Sequence, residues 1–476
     1  MIVFKRGILL ACLLTANALA VSAQNQQGAT ISLNNLDAFQ STGTNWLIGS
    51  DAIADPNIKG AMKAIAGTGV LVDILNPKNN KDILTKEEFG DIELELDFMM
   101  AKESNSGVYI QGRYEVQLFD SWTKLHPEFS DCGGIYQRWD DARGKGNEGY
   151  QGMAPLNNAS RAPGLWQHLK IKFQAPQFNA AGVKIRNALF QEVYLNGVLV
   201  QLQQEVTGPT RSSTFENEQA MGPLMFQGDH GNVAFRNIQY KPLKPFVEVE
   251  VKKRRARENP IFVKADGKPY LLRSFINYGD KKLTHVISGG YPNLLNFSYD
   301  LKQGALLQVW RGDFMDVTQM WFERGEPQLA KPLGSVIVLS GAPSIAVLND
   351  PSTAWPDSIA FDDFGNKGYT LDKNRFPSFE YEYKGIKAID KISAPTANSI
   401  VREINVSNAP ENVYVRIALG KNIEKIGMGH YSVDDKSYYL TIDDTNQPLI
   451  RATAHGKEML VPIAKGSNSL TYSIQF

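Results

Sequence analysis

Cysteine is nearly absent from this chain: its 476 residues include two, Cys12 and Cys132. Cys12 falls in a segment that reads as a leader, so the processed chain keeps one thiol. A lone thiol makes no internal disulfide, no thiolate zinc cluster and no Cys-x-x-Cys-His haem attachment. Cys132 is read as a small buried hydrophobe. An excess of either charge is also missing, since Lys+Arg and Asp+Glu number 50 each. That balance removes the electrostatic case for nucleic acid or an anionic membrane as partner. Beyond the leader no run reaches the ~20 apolar residues that span a bilayer. A Gly-x-Ser-x-Gly elbow, a phosphate loop and a dinucleotide-binding unit are absent too, which leaves no case for serine hydrolysis, phosphoryl transfer or a tightly held nicotinamide. Helical periodicity is almost wholly lacking.

The leader itself is well marked. Lys5 and Arg6 precede an apolar run from Ile8 to Val21, and Ser22-Ala23 supply the small residues of a cleavage site before Gln24. Leu9-Leu10-Ala11-Cys12 superficially suggests lipidation, but the apolar run continues past Cys12. We expect cleavage after Ala23 and an exported protein of the periplasm or cell surface. The length calls for two domains. Lys241-Pro242-Leu243-Lys244-Pro245 cannot continue a central strand, and the charged run Lys252-Lys253-Arg254-Arg255 follows it. The expected division is therefore 1–23 leader, 24–245 first domain and 246–476 second domain, with the basic run read as a solvated edge or linker.

The most informative stretch is Asn105–Asp120. Strand side chains alternate between faces, which puts Val108, Ile110, Tyr114, Val116 and Leu118 on one side and Tyr109, Gln111, Arg113, Glu115 and Gln117 on the other. A hairpin whose loop is Gln111–Arg113 would set Tyr109 opposite Glu115 and keep the same sorting. The polar side carries hydrogen-bonding groups rather than the Lys and Glu of an ordinary wet face. Phe89–Phe98 offers the contrast, with Ile92, Leu94, Leu96 and Phe98 inward and acids outward. The open alternatives are a face built to be occupied and the polar outer face of a sandwich.

Elsewhere short strands alternate with turn signals. Residues 121–163 lose periodicity but hold Trp122, Tyr136, Trp139, Tyr150 and Met153, and are read as loops walling a cleft. Trp166–Phe173 resumes alternation, Glu192–Val200 is a hairpin announced by Asn196-Gly197, and 222–238 gives a strand, a tight polar connection and a returning strand. This pattern predicts an all-β sandwich. Beyond 246, strand-like runs at 269–276, 304–311, 335–340, 379–384, 399–406, 412–419, 436–442 and 457–463 predict a second β-rich domain.

Several of these pieces, in order, resemble the 3-keto-disaccharide hydrolase family: Asn105–Tyr109, Arg113–Ser121, Asp131–Tyr136, Asn158–Arg161, Gly164–Gln167, Leu195–Val198, Gly222–Met225, Gln227–Gly231 and Phe235–Ile238. The family is a group of exported bacterial domains related in fold to concanavalin A-like lectins and family 16 glucanases. The resemblance implies a concanavalin A-like jelly-roll β-sandwich and a carbohydrate substrate already oxidised to a ketone at C3. The stretch Trp310–Asp316 is similar to β domains that accompany secreted sugar-dehydrogenase and cytochrome modules. That likeness suggests an accessory half and a functional partnership with a sugar 3-dehydrogenase.

A C3 ketone acidifies the C2 proton, so a base can remove it and the C1 substituent can leave by β-elimination. Such chemistry needs a base working near neutral pH and a group stabilising the enolate, unlike ordinary glycoside hydrolysis with its two carboxylates. His230 is the first candidate base, because imidazole titrates in the right range and its Gly neighbours permit close approach; Asp229–Asn232 is equally good turn chemistry. Glu115 is the second candidate, or else the orienter or ion-pair partner of Arg113. Arg113, the third member of the candidate catalytic cluster with His230 and Glu115, suits sugar hydroxyls, as do Gln117, Gln227, Asp229, Asp120 and Tyr109, and Tyr136 or Trp166 could stack on a sugar ring. Asp120 and Asp131 are the candidate ligands for a divalent metal, the only cofactor considered, with caps and turns as their other reading. The competing function is a non-catalytic carbohydrate-binding or cell-surface adhesion protein on the same sheet.

Overall fold

The computed structural model describes residues 28–40, 43–243, 260–321, 328–350 and 352–476. The leader, the Lys252–Arg255 run and the expected boundary at 245 lie outside the described residues.

The first half is a two-sheet antiparallel sandwich. Its larger sheet runs, in spatial order, Val198–Val206, Ala188–Leu195, Trp166–Gln174, Ile92–Met100, Val233–Pro242, Met62–Asp73 and Trp46–Ala54, with Ala29–Thr30 added beside Val233–Pro242. The smaller sheet runs Ile83–Phe89, Gly222–Phe226, Asn105–Ile110 and Tyr114–Phe119. Between them the alternating apolar residues interdigitate: Leu94, Leu96, Phe98, Ile171, Phe173 and Phe235 face Val108, Ile110, Tyr114, Val116, Leu118 and Phe226, all fully buried. Each such side chain contributes about 1.5–3 kcal/mol of burial free energy, and no disulfide assists. Cys132 is buried in this same core.

Both expected hairpins form. Asn196 and Gly197 take φ of 51° and 80°, as a two-residue turn joining Leu195 to Val198 requires. Gln111 and Gly112, also at positive φ, turn the chain so that Tyr109 pairs with Glu115 and Ile110 with Tyr114. Residues 144–149 carry a Gly-x-Gly-x-x-Gly spacing, but it lies between the two-residue strands Arg138–Trp139 and Gly149–Tyr150, with no helix for a dinucleotide to cap.

The outward acids of Ile92–Met100 are not simply solvated. Glu93 and Glu95 pair with Lys170 at 2.7 and 2.6 Å, and Asp97 meets His168 at 2.9 Å and Arg236 at 3.3 Å. Part of this outer face is apolar: Ala52, Ala54, Val70, Val72, Met99, Ala234 and Trp166 form their own buried cluster.

The second half is also mostly strand, with short helical turns at Thr318–Trp321, Phe361–Asp363 and Asp444–Asn446 among the described residues. Sheets of six, eight and four antiparallel strands share one core that includes Phe297, Tyr299, Phe379, Ile404, Val415, Leu440 and Ile474. All eight anticipated runs are strands; Lys281–Gly290, Ile386–Ser393 and Gly466–Gln475 are further ones. The halves meet where Tyr439 packs with Trp122, Ala162 and Leu165 and its hydroxyl donates to Pro163 O at 3.1 Å. Gly164, at φ +78°, is required there, since a Cβ would stand 2.4 Å from Tyr439 Oη and 2.8 Å from Ala54 O. Arg236–Asp435 at 2.5 Å and Lys436–Asp51 are ion pairs across the same seam.

Candidate functional site

Glu115 lies on the smaller sheet's end strand, Tyr114–Phe119, and is 2 % exposed. Its cross-strand neighbour Tyr109 donates a hydroxyl hydrogen bond to it. The carboxyl rests over Gly107, where a Cβ would fall 2.3 Å from Oε1, so glycine is the residue that leaves the space. Burial, with Asp82 and Asp229 nearby, pushes the Glu115 carboxyl up to about 8; the Tyr109 bond only partly offsets this. Gln117, two residues on, donates to Asn105 Oδ1 at 2.6 Å. Tyr136 belongs to the segment beside Tyr114–Phe119: its backbone N–H donates to Glu115 O at 3.2 Å and its ring meets Phe129 edge-on.

The loop between Gly222–Phe226 and Val233–Pro242 carries Gln227, Asp229 and His230, and is pinned from four sides. Ser106 Oγ donates to Gln227 O at 2.8 Å, Gln227 N to Gly107 O at 3.0 Å, Gly228 N to Asp82 Oδ1 at 3.0 Å, and Asn45 Nδ2 to Gly228 O at 2.7 Å. Gly228 itself has no room for a side chain, because a Cβ would lie 2.5 Å from the Trp46 ring. His230 Nδ1 is hydrogen-bonded by the Asp229 carboxylate and lies 3.4 Å from Gln227 Nε2. With Nδ1 so engaged, Nε2 is the nitrogen left to take a proton. The His230 side chain is 52 % exposed and that of Asp229 42 %, so this pair stands at the rim while Glu115 lies on the floor. Gln227 Oε1 is buried without a partner among the described residues, an acceptor that a sugar hydroxyl would satisfy.

Two acids not anticipated from the sequence complete the group. Asp82 adjoins the charges of Asp229 and His230, and both Glu115 and Tyr109 feel its charge in turn; burial is the main force raising its carboxyl. Asp73 is fully buried beneath it, accepts from Asn45 Nδ2 at 2.7 Å through Oδ1, and leaves Oδ2 unpartnered among the described residues. Burial, with Asp229 and Asp82 adding, pushes Asp73 up to about 8. The strand ends at Asp73 and before Ile83 are far apart in sequence from 227–230, and only the sheet order brings them together.

Other anticipated residues are placed elsewhere. Arg113 sits in the hairpin turn, donating to Gln111 O at 2.7 Å and to Asn217 O, with its guanidinium 4.7 Å from the Phe215 ring. It does not join Glu115, and its contacts are those of a loop anchor. Gln111 likewise donates to Phe89 O and Ala220 O. Trp166 belongs to the opposite sheet's outer face, buried under Arg236 at 4.0 Å and against the second half, so it is closed to a sugar on the Glu115 face. Asp120 Oδ2 accepts from Glu103 N at 2.8 Å and burial raises its carboxyl; Asp131 Oδ2 accepts from Glu128 N at 2.7 Å and pairs with Lys124 at 3.6 Å. Each caps a separate turn, and no group of three or more His, Cys, Asp or Glu among the described residues could hold a metal. The metal reading of Asp120 and Asp131 gives way to the cap reading. A cleft of ≈ 500 Å³ between the halves, lined by Ala54, Met62, Gly164, His430 and Tyr439 among others, contains none of the groups around Glu115.

Crystal structures of two Parabacteroides distasonis proteins described as candidate glycosyl hydrolases are similar over part of this chain. One is 25 % identical over 45 % of this chain and 84 % of that one, with a TM-score of 0.30. The other is 21 % identical over 46 % and 100 %, with a TM-score of 0.31. The carbohydrate-binding module CBM66 of Bacillus subtilis is similar at 12 % identity over 43 % and 99 %, with a TM-score of 0.20. At these TM-scores the likenesses bear on neither substrate nor site. A search of curated proteins returned no match to the chain. The sequence from 32 to 241 matches the model of the 3-keto-alpha-glucoside-1,2-lyase-like domain, so the β-sandwich of the first half is similar to that family's domain.

Proposed function

We propose that the sandwich cleaves 3-keto-glycosides by β-elimination across C1 and C2, with hydration of the product giving net hydrolysis. The observation that supports this reading best is the assembly of His230, Asp229, Asp82, Glu115 and Tyr109 on one face, with a base at the rim and a protonated acid on the floor.

In this reading His230 Nε2 removes the C2 proton, and the Asp229 carboxylate holds the imidazole and stabilises its charged form. The C2–H electron pair moves toward the C3 oxygen as enolate. Glu115, buried and protonated at neutral pH, is the donor for a sugar oxygen, held in place by the hydroxyl that Tyr109 donates to it. Collapse of the enolate expels the C1 substituent with its electron pair and forms the C1=C2 double bond conjugated to the C3 ketone. Water adding at C1, with a proton returned to C2, regenerates a 3-keto sugar. Tyr136 offers a ring at the edge, and Gln117 and Gln227 the amides that fix hydroxyls.

In this reading the C3 ketone is made first, by a sugar dehydrogenase that oxidises C3, and the leader read from the sequence supports an exported site for the cleavage step. The test is proton chemistry at C2. In D2O the wild-type protein with a 3-keto-glucoside should place deuterium at C2 of the free 3-keto sugar, and His230→Ala should lose this exchange along with turnover. Aglycone release with C2 protium fully retained would instead mean direct hydrolysis.

A further inference from the structure

We propose that Asp82 is a second catalytic group of this site, the acid that hands a proton to the oxygen leaving C1. The proposal rests on the elimination reading above and assigns the one step that His230 and Glu115 leave unassigned. Expelling an alkoxide from C1 is slow unless the oxygen is protonated as its bond breaks, and the proton has to come from a group beside the base but distinct from it.

Asp82 meets the geometric requirements. It directly precedes the strand Ile83–Phe89 at the edge of the smaller sheet, and one carboxyl oxygen, Oδ1, is fixed by the N–H of Gly228 at 3.0 Å. The other oxygen has no hydrogen-bond partner among the described residues and is not sealed from solvent. Through Gly228 N the Asp82 carboxyl is tied to the loop that carries Asp229 and His230, and Gln227 N of that loop pairs with Gly107 O, under the Glu115 carboxyl; the charge of Asp82 is felt at Glu115 as well. The groups that face it are Asp229, whose charge favours the protonated form, and His230, which favours the ionised one, while the Gly228 N–H also favours ionisation; burial outweighs these and raises its carboxyl.

The alternatives are less suited. Asp229 is committed to the imidazole. Asp73 is fully buried behind Asn45 and cannot reach a substrate. Glu115 lies at the bottom, bonded to Tyr109. In the step itself the C1–O bond breaks with its electron pair on oxygen, the Asp82 O–H proton passes to that oxygen, and the ionised Asp82 is reprotonated when water adds to C1 and gives up a proton.

The experiment compares wild type with Asp82→Asn on two 3-keto-glucosides, one releasing 4-nitrophenol and one releasing methanol. Asn keeps the acceptor for Gly228 N, so a purely structural role for Asp82 would leave both rates near wild type or lower them together. The proposal predicts that Asp82→Asn loses about 100-fold or more on the methyl glucoside and stays within about threefold on the nitrophenyl one, whose phenolate needs no proton. C2 deuterium exchange should persist in the variant on both substrates. Equal losses on both, or no loss on either, with active wild type, would overturn the role of Asp82 alone. Wild type that releases neither alcohol would overturn the elimination reading and this proposal with it.

Discussion

The burial of Glu115 is costly and explains much of the site. Its carboxyl is ionised in the unfolded chain above about pH 4.5 and in the folded protein only above about 8. The folded state therefore binds the extra proton between those values, and stability falls as pH rises through that window. Glu115→Gln removes the penalty: its stability relative to wild type should climb between pH 5 and 8 by up to a few kcal/mol, on the order of 4 at most, as read by urea unfolding at each pH. Activity should meanwhile fall by 10²-fold or so, within the range for a positioned acid. Gly107→Ala tests the same spot from below. The added methyl would stand 2.3 Å from Oε1 and should cost about 1–3 kcal/mol, displacing the carboxyl and lowering turnover while the sheet persists. The opposition of Tyr109 and Glu115 was legible in the sequence because Gly112 fixed the turn and alternation fixed the rest. Arg113 was not, because a residue inside the turn has no strand parity, and its guanidinium follows Asn217 and Phe215 instead.

The element that matters most is the loop 227–232 and the clamp that holds it. Asn45 Nδ2 reaches Asp73 Oδ1, Gly228 O and Lys81 O at 2.7, 2.7 and 3.0 Å, tying the end of Met62–Asp73 to the loop that carries His230. Asn45→Ala would leave Gly228 O and Asp73 without this donor, at a cost of about 1–3 kcal/mol. We expect a lowered melting temperature and a fall in kcat larger than any change in KM, because the imidazole loses its position rather than the sugar its contacts. No sequence pattern pointed to Asn45, Asp73 or Asp82. They lie on or beside other strands, and they are delivered to the loop by the order Val233–Pro242, Met62–Asp73, Trp46–Ala54 in the larger sheet and by the pairing of Ile83–Phe89 with Gly222–Phe226 in the smaller one. By contrast Trp166 could have been placed: it shares parity with His168, Lys170 and Lys172, all outward on the same strand. What the sequence could not show is that Arg236 and the second half would cover it.

On the scale of the whole molecule, two β-rich halves have separate cores and one seam built around Tyr439. That seam lies on the outer face of the larger sheet, and the candidate site lies on the outer face of the smaller one, so the second half braces the sandwich from behind. Trp166→Ala should therefore destabilise by about 3–5 kcal/mol, seen as a lower melting temperature, yet leave the affinity for a 3-keto-glucoside unchanged when measured below the melting transition. Tyr439→Ala, which removes the residue at the centre of the seam, should split calorimetric unfolding into two transitions if the halves are held together there; an unchanged single transition would locate the coupling elsewhere. The all-β character, the sandwich and the strand runs of the second half were readable from alternation and turn residues alone, since both depend on local chemistry. The way the two halves dock was not, because it depends on surfaces that meet only after each has folded.

If His230 is the base of a catalytic face, as proposed, purified protein releases the aglycone from a 3-keto-glucoside, and His230→Ala, with its fold intact, releases it about 10²-fold or more slowly. No release by wild type, or equal rates for the two proteins, would leave the sandwich without the proposed chemistry.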